Sequence, residues 1–165
     1  MNIAVSSDER THLVDAVLDE LKQRGHDVEY LGPTEGAQAD WPDVTTAAAG
    51  RVATGSAEQA IVMCWTGTGA SIAANKVAGI RAALCGDAET ARGARVWNDA
   101  NVLALSLRST SEPLAREILE AWFSAAPGDG DWNRRQLERL REIEADQRSL
   151  KRAPITGGRR PGLSL

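Results

Sequence analysis

The sequence predicts an α/β protein built on one sheet of five parallel strands, with an extra helix at the C-terminal end. Three observations carry that expectation. Short apolar runs alternate five times with segments of helical periodicity, the runs are continuously apolar, and Gly-containing breaks separate the units. A strand buried on both faces reads as an unbroken apolar run, because helices cover each side of a parallel sheet.

Residues 3–6 form the first expected strand, which ends in the polar run Ser6-Ser7-Asp8-Glu9. Residues 11–24 follow as a helix with Leu13, Val17, Leu18 and Leu21 on one stripe and Gly25 as its C-cap. A second strand covers residues 27–31, and a loop then runs through Trp41 and Pro42. Residues 43–54 read as an Ala-rich helix closed by Gly55, and residues 59–64 as the third strand. A glycine loop leads into a helix over about residues 70–77, followed by a strand at 82–85 and a helix at 88–96. The last pair is a strand at 102–106 and a helix at 112–124, the latter with Leu114, Ile118, Leu119 and Trp122 apolar. Trp122 is expected in the core or an interface.

Pro127-Gly128-Asp129-Gly130 breaks the chain, so residues 1–126 are read as the α/β domain. Residues 127–152 supply a charged helix whose stripe, Leu137, Leu140 and Ile143, has to pack on its own domain or on a second subunit. Residues 153–165 hold Pro, Gly and Arg with little to bury and are expected to be disordered.

A chain of 165 residues with 42% hydrophobic and 25% charged content suits one soluble domain with a real core. The net charge of −4 argues against nucleic-acid binding. Cys64 and Cys85 lie in apolar stretches without metal-ligand spacing, which predicts no metal and a reducing cytoplasm. The N-terminal apolar run turns polar at once, unlike a signal peptide, and no stretch is long enough for a membrane span. Five Trp stand against one Tyr and one Phe.

Residues 61–76, Ile-Val-Met-Cys-Trp-Thr-Gly-Thr-Gly-Ala-Ser-Ile-Ala-Ala-Asn-Lys, organise the rest. A strand that breaks into Gly67-Thr68-Gly69 and re-emerges as a helix presents unpaired N–H groups and a positive dipole end, an anion cradle. Cys64 sits at its lip, and helix N-termini favour the reactive thiolate form of cysteine. Open parallel sheets bind ligands beyond the carboxyl ends of their strands, which singles out Asp8, Glu9, Trp41, residues 64–71, Gly86, Asp87 and Arg108. The loop matches neither Gly-x-Gly-x-x-Gly nor a P-loop, so dinucleotide and nucleoside-triphosphate readings are weak.

A longer string is more specific. Cys64-x-Thr66-Gly67-Thr68-Gly69-x-Ser71-Ile72-Ala73-Ala74-Asn75-Lys76, then Gly79-Ile80-Arg81-Ala82-Ala83, then Asn98-Asp99-Ala100-Asn101-Val102-Leu103, resembles the ribose-5-phosphate isomerase B / galactose-6-phosphate isomerase family. Ser7-Asp8, Gly25-His26, Asp40-x-Pro42-Asp43 and Arg108 support the resemblance, which spans about residues 1–145. It implies a doubly wound, Rossmann-like domain, a homodimer or dimer of dimers with sites between subunits, and aldose–ketose isomerisation of a phosphorylated sugar without metal or organic cofactor. In that chemistry a base takes the proton alpha to the carbonyl and a cis-enediolate forms. The resemblance makes Cys64 the base, with Thr66 orienting substrate or thiol and Gly67, Thr68, Gly69, Ala70 and Ser71 holding the enediolate oxygens. Asp8 and Asn98 would bind sugar hydroxyls, and Arg108 the phosphate. Members that lack the cysteine often carry Glu where Ala70 stands, and Ala70 has no acid–base group.

The chain departs from the pattern at several points. Glu9 replaces a histidine, Trp65 a glycine, and Trp97 the histidine credited with ring opening. Trp132, Asn133 and Gln136 fall where the family carries its C-terminal Arg-His-x-x-Arg, with Arg134 and Arg135 nearby. Trp65, Trp97 and Trp132 are thus expected to make the pocket more aromatic. An altered substrate follows, either a tetrose 4-phosphate, which cannot close a furanose ring, or a larger or unphosphorylated sugar. The alternative is a non-catalytic sugar- or metabolite-binding protein on the same scaffold. Plainer readings stand beside each residue: Cys64 as a packed small hydrophobe, Asp8 as a helix cap, Glu9 as a solvated charge, Arg108 as a surface ion-pair partner. Cys85 is expected in the core, His12 on the surface, and Asn75 and Lys76 in structural roles.

Overall fold

The computed structural model describes the backbone of residues 1–152 and side chains through residue 146; the tail expected at 153–165 lies outside the described residues. Strands β1 (Asn2–Ser7), β2 (Asp27–Tyr30), β3 (Gln59–Cys64), β4 (Ala82–Leu84) and β5 (Val102–Ser106) alternate with helices. These are α1 (His12–Gln23), α2 (Trp41–Ala53), α3 (Thr68–Ala74), α4 (Ala88–Asn98) and α5 (Glu112–Ser124), and α6 (Asp131–Arg152) follows. The five strands pair in parallel in the order β2-β1-β3-β5-β4, the α/β architecture the sequence predicts. From β1 the chain moves outward to β2 and then returns to place β3 on the other side of β1. Such a reversal opens a crevice at the carboxyl edge between the two strands.

Side chains alternate across the sheet with period two and so divide the core into two unlike halves. Ile3, Val5, Ile61, Met63, Leu103 and Leu105 face a bulky layer with Leu13, Leu21, Ile118, Leu119 and Trp122. The alternate positions, Ala4, Ala60, Val62, Cys64, Val102 and Ala104, face a layer of small residues including Ala48, Ala49, Ala70 and Ala74. Small side chains on both surfaces let α2 and α3 approach closely. The same parity aims Cys64 at α3. Trp122 is fully buried in the bulky half, and its Nε1–H donates to Gln59 Oε1 at 2.6 Å, which satisfies the buried indole.

Boundaries differ from expectation for local reasons. α2 begins at Trp41 because Pro42, with its fixed φ and missing N–H, suits a first helical turn. α3 covers Thr68–Ala74 rather than 70–77, since Asn75 ends it: Nδ2 donates to Ser71 O at 2.9 Å and to Ala82 O at 2.8 Å, while Oδ1 accepts from Ala82 N at 2.9 Å. Cys85 falls just past β4. α6 is tied to the end of α4 through buried Asn133, whose Nδ2 donates to Val96 O at 3.2 Å and Gly128 O at 3.0 Å. Leu140 and Ile143 on its apolar stripe remain exposed.

Candidate active site

β3 turns into α3 through Gly67, whose φ of 73° is a left-handed conformation that L side chains disfavour. A Cβ there would also stand 2.9 Å from the Leu105 backbone carbon and oxygen, so only glycine fits. The turn folds the start of α3 back over the end of β3. Cys64, 5% exposed, lies beneath it, and the Ala70 N–H donates to its Sγ at 3.4 Å. The Gly67 N–H donates to Cys64 O at 3.1 Å and the Ser71 N–H to Gly67 O at 2.9 Å. Three of the five expected cradle residues therefore have occupied N–H groups. Helical geometry leaves those of Thr68 and Gly69 without an intrahelical acceptor. Trp41 roofs this turn: a Cβ on Gly69 would lie 3.2 Å from Trp41 Cε3.

The register pairs Ser7 with Met63 and Cys64 with Ser106. Asp8 follows the last residue of β1, so Asp8, Cys64 and Ser106 lie at the carboxyl ends of three neighbouring strands. Ser106 Oγ donates to Trp65 O at 3.0 Å and accepts from the Ser109 N–H at 3.1 Å. The Leu107 N–H donates to Cys64 O at 3.0 Å and the Arg108 N–H to Trp65 O at 2.9 Å. The turn after β5 therefore pins the backbone of Cys64 and Trp65 from one side.

Asp8 closes the other side. Its Oδ1 is buried without a hydrogen-bond partner among the described residues. Burial pushes its carboxyl above the usual carboxylate range, the charge of Glu9 adds to this, and bonds from the Asp8 and Glu9 backbone oppose it. Glu9 is exposed and bridges Gln38 through the backbone, while the Ala39 N–H donates to Asp8 O at 2.9 Å. Thr66, Thr68 and Arg108 are exposed on the same edge. Cys85 is different: burial pushes its thiol up to about 12, which leaves it a packed hydrophobe.

Trp97 and Asn98 do not join this group within one chain. They end α4, which runs back from the carboxyl edge, and the chain then enters β5 at the amino edge. A six-residue β3 separates the two edges by roughly 16 Å. Arg81 holds the turn there: its Nε donates to Asn98 O at 3.1 Å and Asp99 O at 2.8 Å, and its Nη2 to Asp99 Oδ2 at 2.9 Å. Asp99 has a φ of 46°, and Asn101 Oδ1 accepts from the Arg81 N–H at 2.8 Å. Asn75, Arg81, Asp99 and Asn101 are thus structural clamps. The three tryptophans expected around one pocket divide accordingly, with Trp65 (59% exposed) at the carboxyl edge and Trp97 (53%) and Trp132 (62%) at the α4–α6 end.

Among the described residues no group of three or more His, Cys, Asp or Glu is placed to hold a metal ion, and no helix is long and apolar enough to cross a membrane. The profile of the Ribose/Galactose Isomerase family matches residues 3–143. The chain belongs to that family. A D-erythrulose-4-phosphate isomerase of Pectobacterium atrosepticum is 39% identical over 127 residues, covering 76% of this chain and 84% of that enzyme. Ribose-5-phosphate isomerase B of Escherichia coli is 37% identical over 78% of this chain and 85% of its own length. The solved structure of Clostridium thermocellum ribose-5-phosphate isomerase B superimposes with a TM-score of 0.84 at 38% identity, covering 89% of this chain and 99% of that one. Sequence reasoning missed Ser106, which becomes visible only through its register opposite Cys64. Trp41, singled out by its position after β2, lies against Gly69 at the start of α3.

Proposed function

We propose that this sugar-phosphate isomerase interconverts an aldose and a ketose phosphate through a cis-enediolate, with Cys64 as the base. The observation that carries the reading is the buried Cys64 Sγ under the first turn of α3, with the Ala70 N–H on it at 3.4 Å and the Thr68 and Gly69 N–H groups alongside. The thiolate takes the proton alpha to the carbonyl, and the electron pair moves onto the carbonyl oxygen. Preorganised N–H donors act where that charge develops. A proton passes from the hydroxyl on the alpha carbon to that oxygen, and the thiol returns its proton to the former carbonyl carbon as the new carbonyl forms, so the step needs no oxidant or reductant. Thr66 orients the substrate, Gly67 and Ser71 shape the loop, and Ala70 holds the thiol. Asp8, Glu9 and Asn98 take sugar hydroxyls, and Arg108 takes the phosphate.

Trp97 and Asn98 reach such a site only from a second copy, so the working unit is a homodimer or a dimer of dimers. Exposed Ile72, Leu84, Leu140 and Ile143 support that reading. Residues 1–126 act as the isomerase domain and 127–152 as a helical arm that takes part in assembly. Two free buried cysteines fit a cytoplasmic setting. Trp97, in place of the ring-opening histidine, fits an open-chain tetrose phosphate, in keeping with the name of the Pectobacterium relative. The test is alpha-proton exchange in D₂O, followed by NMR on tetrose, pentose and hexose phosphates. Wild type should exchange a tetrose phosphate fastest, and Cys64→Ala should lose exchange while still binding it. Exchange that survives in Cys64→Ala would remove Cys64 from the mechanism.

A further inference from the structure

Two hydroxyls stand among the alanines on the Cys64 side of the sheet. Ser6 and Thr45 are both fully buried, and neither Ser6 Oγ nor Thr45 Oγ1 has a hydrogen-bond partner among the described residues. Ser6 lies on β1 and pairs with Val62, so period-two alternation gives Ser6, Val62 and Cys64 one face of the sheet. Thr45 lies on α2, one turn before Ala48 and Ala49, which belong to the layer packed on that face. Trp41, one turn earlier still, lies against Gly69 at the start of α3. Thr45 therefore sits between the turn that covers Cys64 and the alanine layer, at the level of Ser6. The threonines nearby do not share its condition. Thr46 Oγ1 donates to Pro42 O at 2.8 Å and Thr54 Oγ1 to Gly50 O at 2.9 Å, the usual recourse of a helical hydroxyl. Thr45 makes no such bond.

Buried hydroxyls without protein partners are satisfied by bound water, which joins several polar groups at once. Positions one strand over and two residues along lie about 8 Å apart between Cα atoms, too far for Ser6 to meet the Cys64 sulfur directly and right for one water between them. The sulfur has the Ala70 N–H on it at 3.4 Å, and the layer around it is otherwise apolar. Ser106, which pairs with Cys64, commits its hydroxyl to Trp65 O at 3.0 Å. Burial among apolar side chains alone holds a thiol protonated, as it does at Cys85. We propose that Ser6 and Thr45 are positioning residues of the isomerase: their hydroxyls hold one buried water behind Cys64, and that water donates to the sulfur from within the core. The inference rests on the reading of Cys64 as the base and adds the polar support that lets a buried sulfur carry charge. Few other groups titrate around this spot. β3 and β5 carry only Cys64, α3 carries none, Asp43 and Arg51 of α2 are exposed, and Asp8 and Glu9 follow β1.

The test titrates Cys64 in the full-length protein through its ultraviolet thiolate absorbance, taken as the difference from Cys64→Ala, in which Cys85 and Tyr30 cancel. Ser6→Ala and Thr45→Val each remove one hydroxyl with little change of volume. Each should move the thiolate titration up by about one pH unit, and alpha-proton exchange below it should fall about tenfold. Thr45→Ser, which keeps the hydroxyl, should titrate as wild type does. Asp8→Asn removes the partly buried carboxyl nearby and should leave these shifts in place. A role confined to packing predicts instead an unmoved titration, with Thr45→Val as stable as wild type or more so. A titration unmoved in both variants, or moved downward in either, would overturn the proposal. The titration itself needs no sugar. The expected shifts in a protein that exchanges no sugar phosphate would sink the isomerase reading alone, and exchange through Cys64 with an unmoved titration would sink this inference alone.

Discussion

Replacing Gly67 by Ala tests the turn that holds the thiol under α3. Two effects act together. An L residue at a φ of 73° carries a strain of about 1–2 kcal/mol. The new methyl would also stand 2.5 Å from Leu84 Cδ1 and 2.9 Å from the Leu105 carbonyl carbon and oxygen. The leucine side chain can swing aside, but the Leu105 backbone is held inside β5, so overpacking adds about 1–3 kcal/mol. The sum, about 2–5 kcal/mol, corresponds to roughly 4–20 °C in melting temperature for a domain of this size. Gly55→Ala is the matched control. Gly55 has a φ of 77° but no atom within 4 Å of the place a methyl would occupy, so it should show the strain of about 1–2 kcal/mol alone. Urea unfolding of both variants against wild type separates the two contributions. Equal losses in the two variants would refute the claim that close approach to β5 dictates glycine at 67. Where Gly67→Ala remains folded at low temperature, proton exchange should fall as well, because the Ala70 N–H moves off the thiol.

Three further outcomes follow from the same structure. Asp8→Asn should raise the melting temperature at neutral pH: burial lifts the Asp8 carboxyl, so the native state holds that proton more tightly than the unfolded chain. The stability it confers is full below the unfolded value and lost as pH rises through the folded one. The gain should therefore vanish near pH 3, where both forms are neutral, at about the ordinary carboxyl range, and a lower melting temperature for Asp8→Asn at pH 7 would contradict the assignment. Trp122→Phe strands Gln59 Oε1 and leaves a small void, and should lower urea stability by about 1–3 kcal/mol. Cys85, with its thiol pushed up to about 12, should resist iodoacetamide at pH 8 in the native protein and react only on unfolding, as followed by mass spectrometry of its peptide.

Four strands were legible as short, largely apolar runs, whereas edge strand β2, Asp-Val-Glu-Tyr, alternates; β3 and β5 fall at the expected residues 59–64 and 102–106. Helix starts were less so. Pro42 and the left-handed Gly67 each bring a helix forward by two residues, and both act through backbone conformation rather than through apolar periodicity. The site was legible only in part, for a reason of topology. A motif string lists Asn98 beside Cys64 as if they were neighbours, yet a parallel sheet puts every strand-to-helix turn at its carboxyl edge and every helix-to-strand turn at its amino edge. The residues after a strand and the residues before the next one are a strand length apart. Asn75, Arg81, Asp99 and Asn101 therefore belong to a scaffold at the amino edge, although they read as part of the same signature as Thr66 and Gly67. Pairing register does the opposite and brings together what the sequence separates. Cys64 and Ser106, far apart in the chain, pair directly at the ends of β3 and β5, and Asp8 follows the end of neighbouring β1. Asp8 and Glu9 lie beyond one end of this pair and Arg108 beyond the other, a charge order set by the order of strands in the sheet, which no linear motif records.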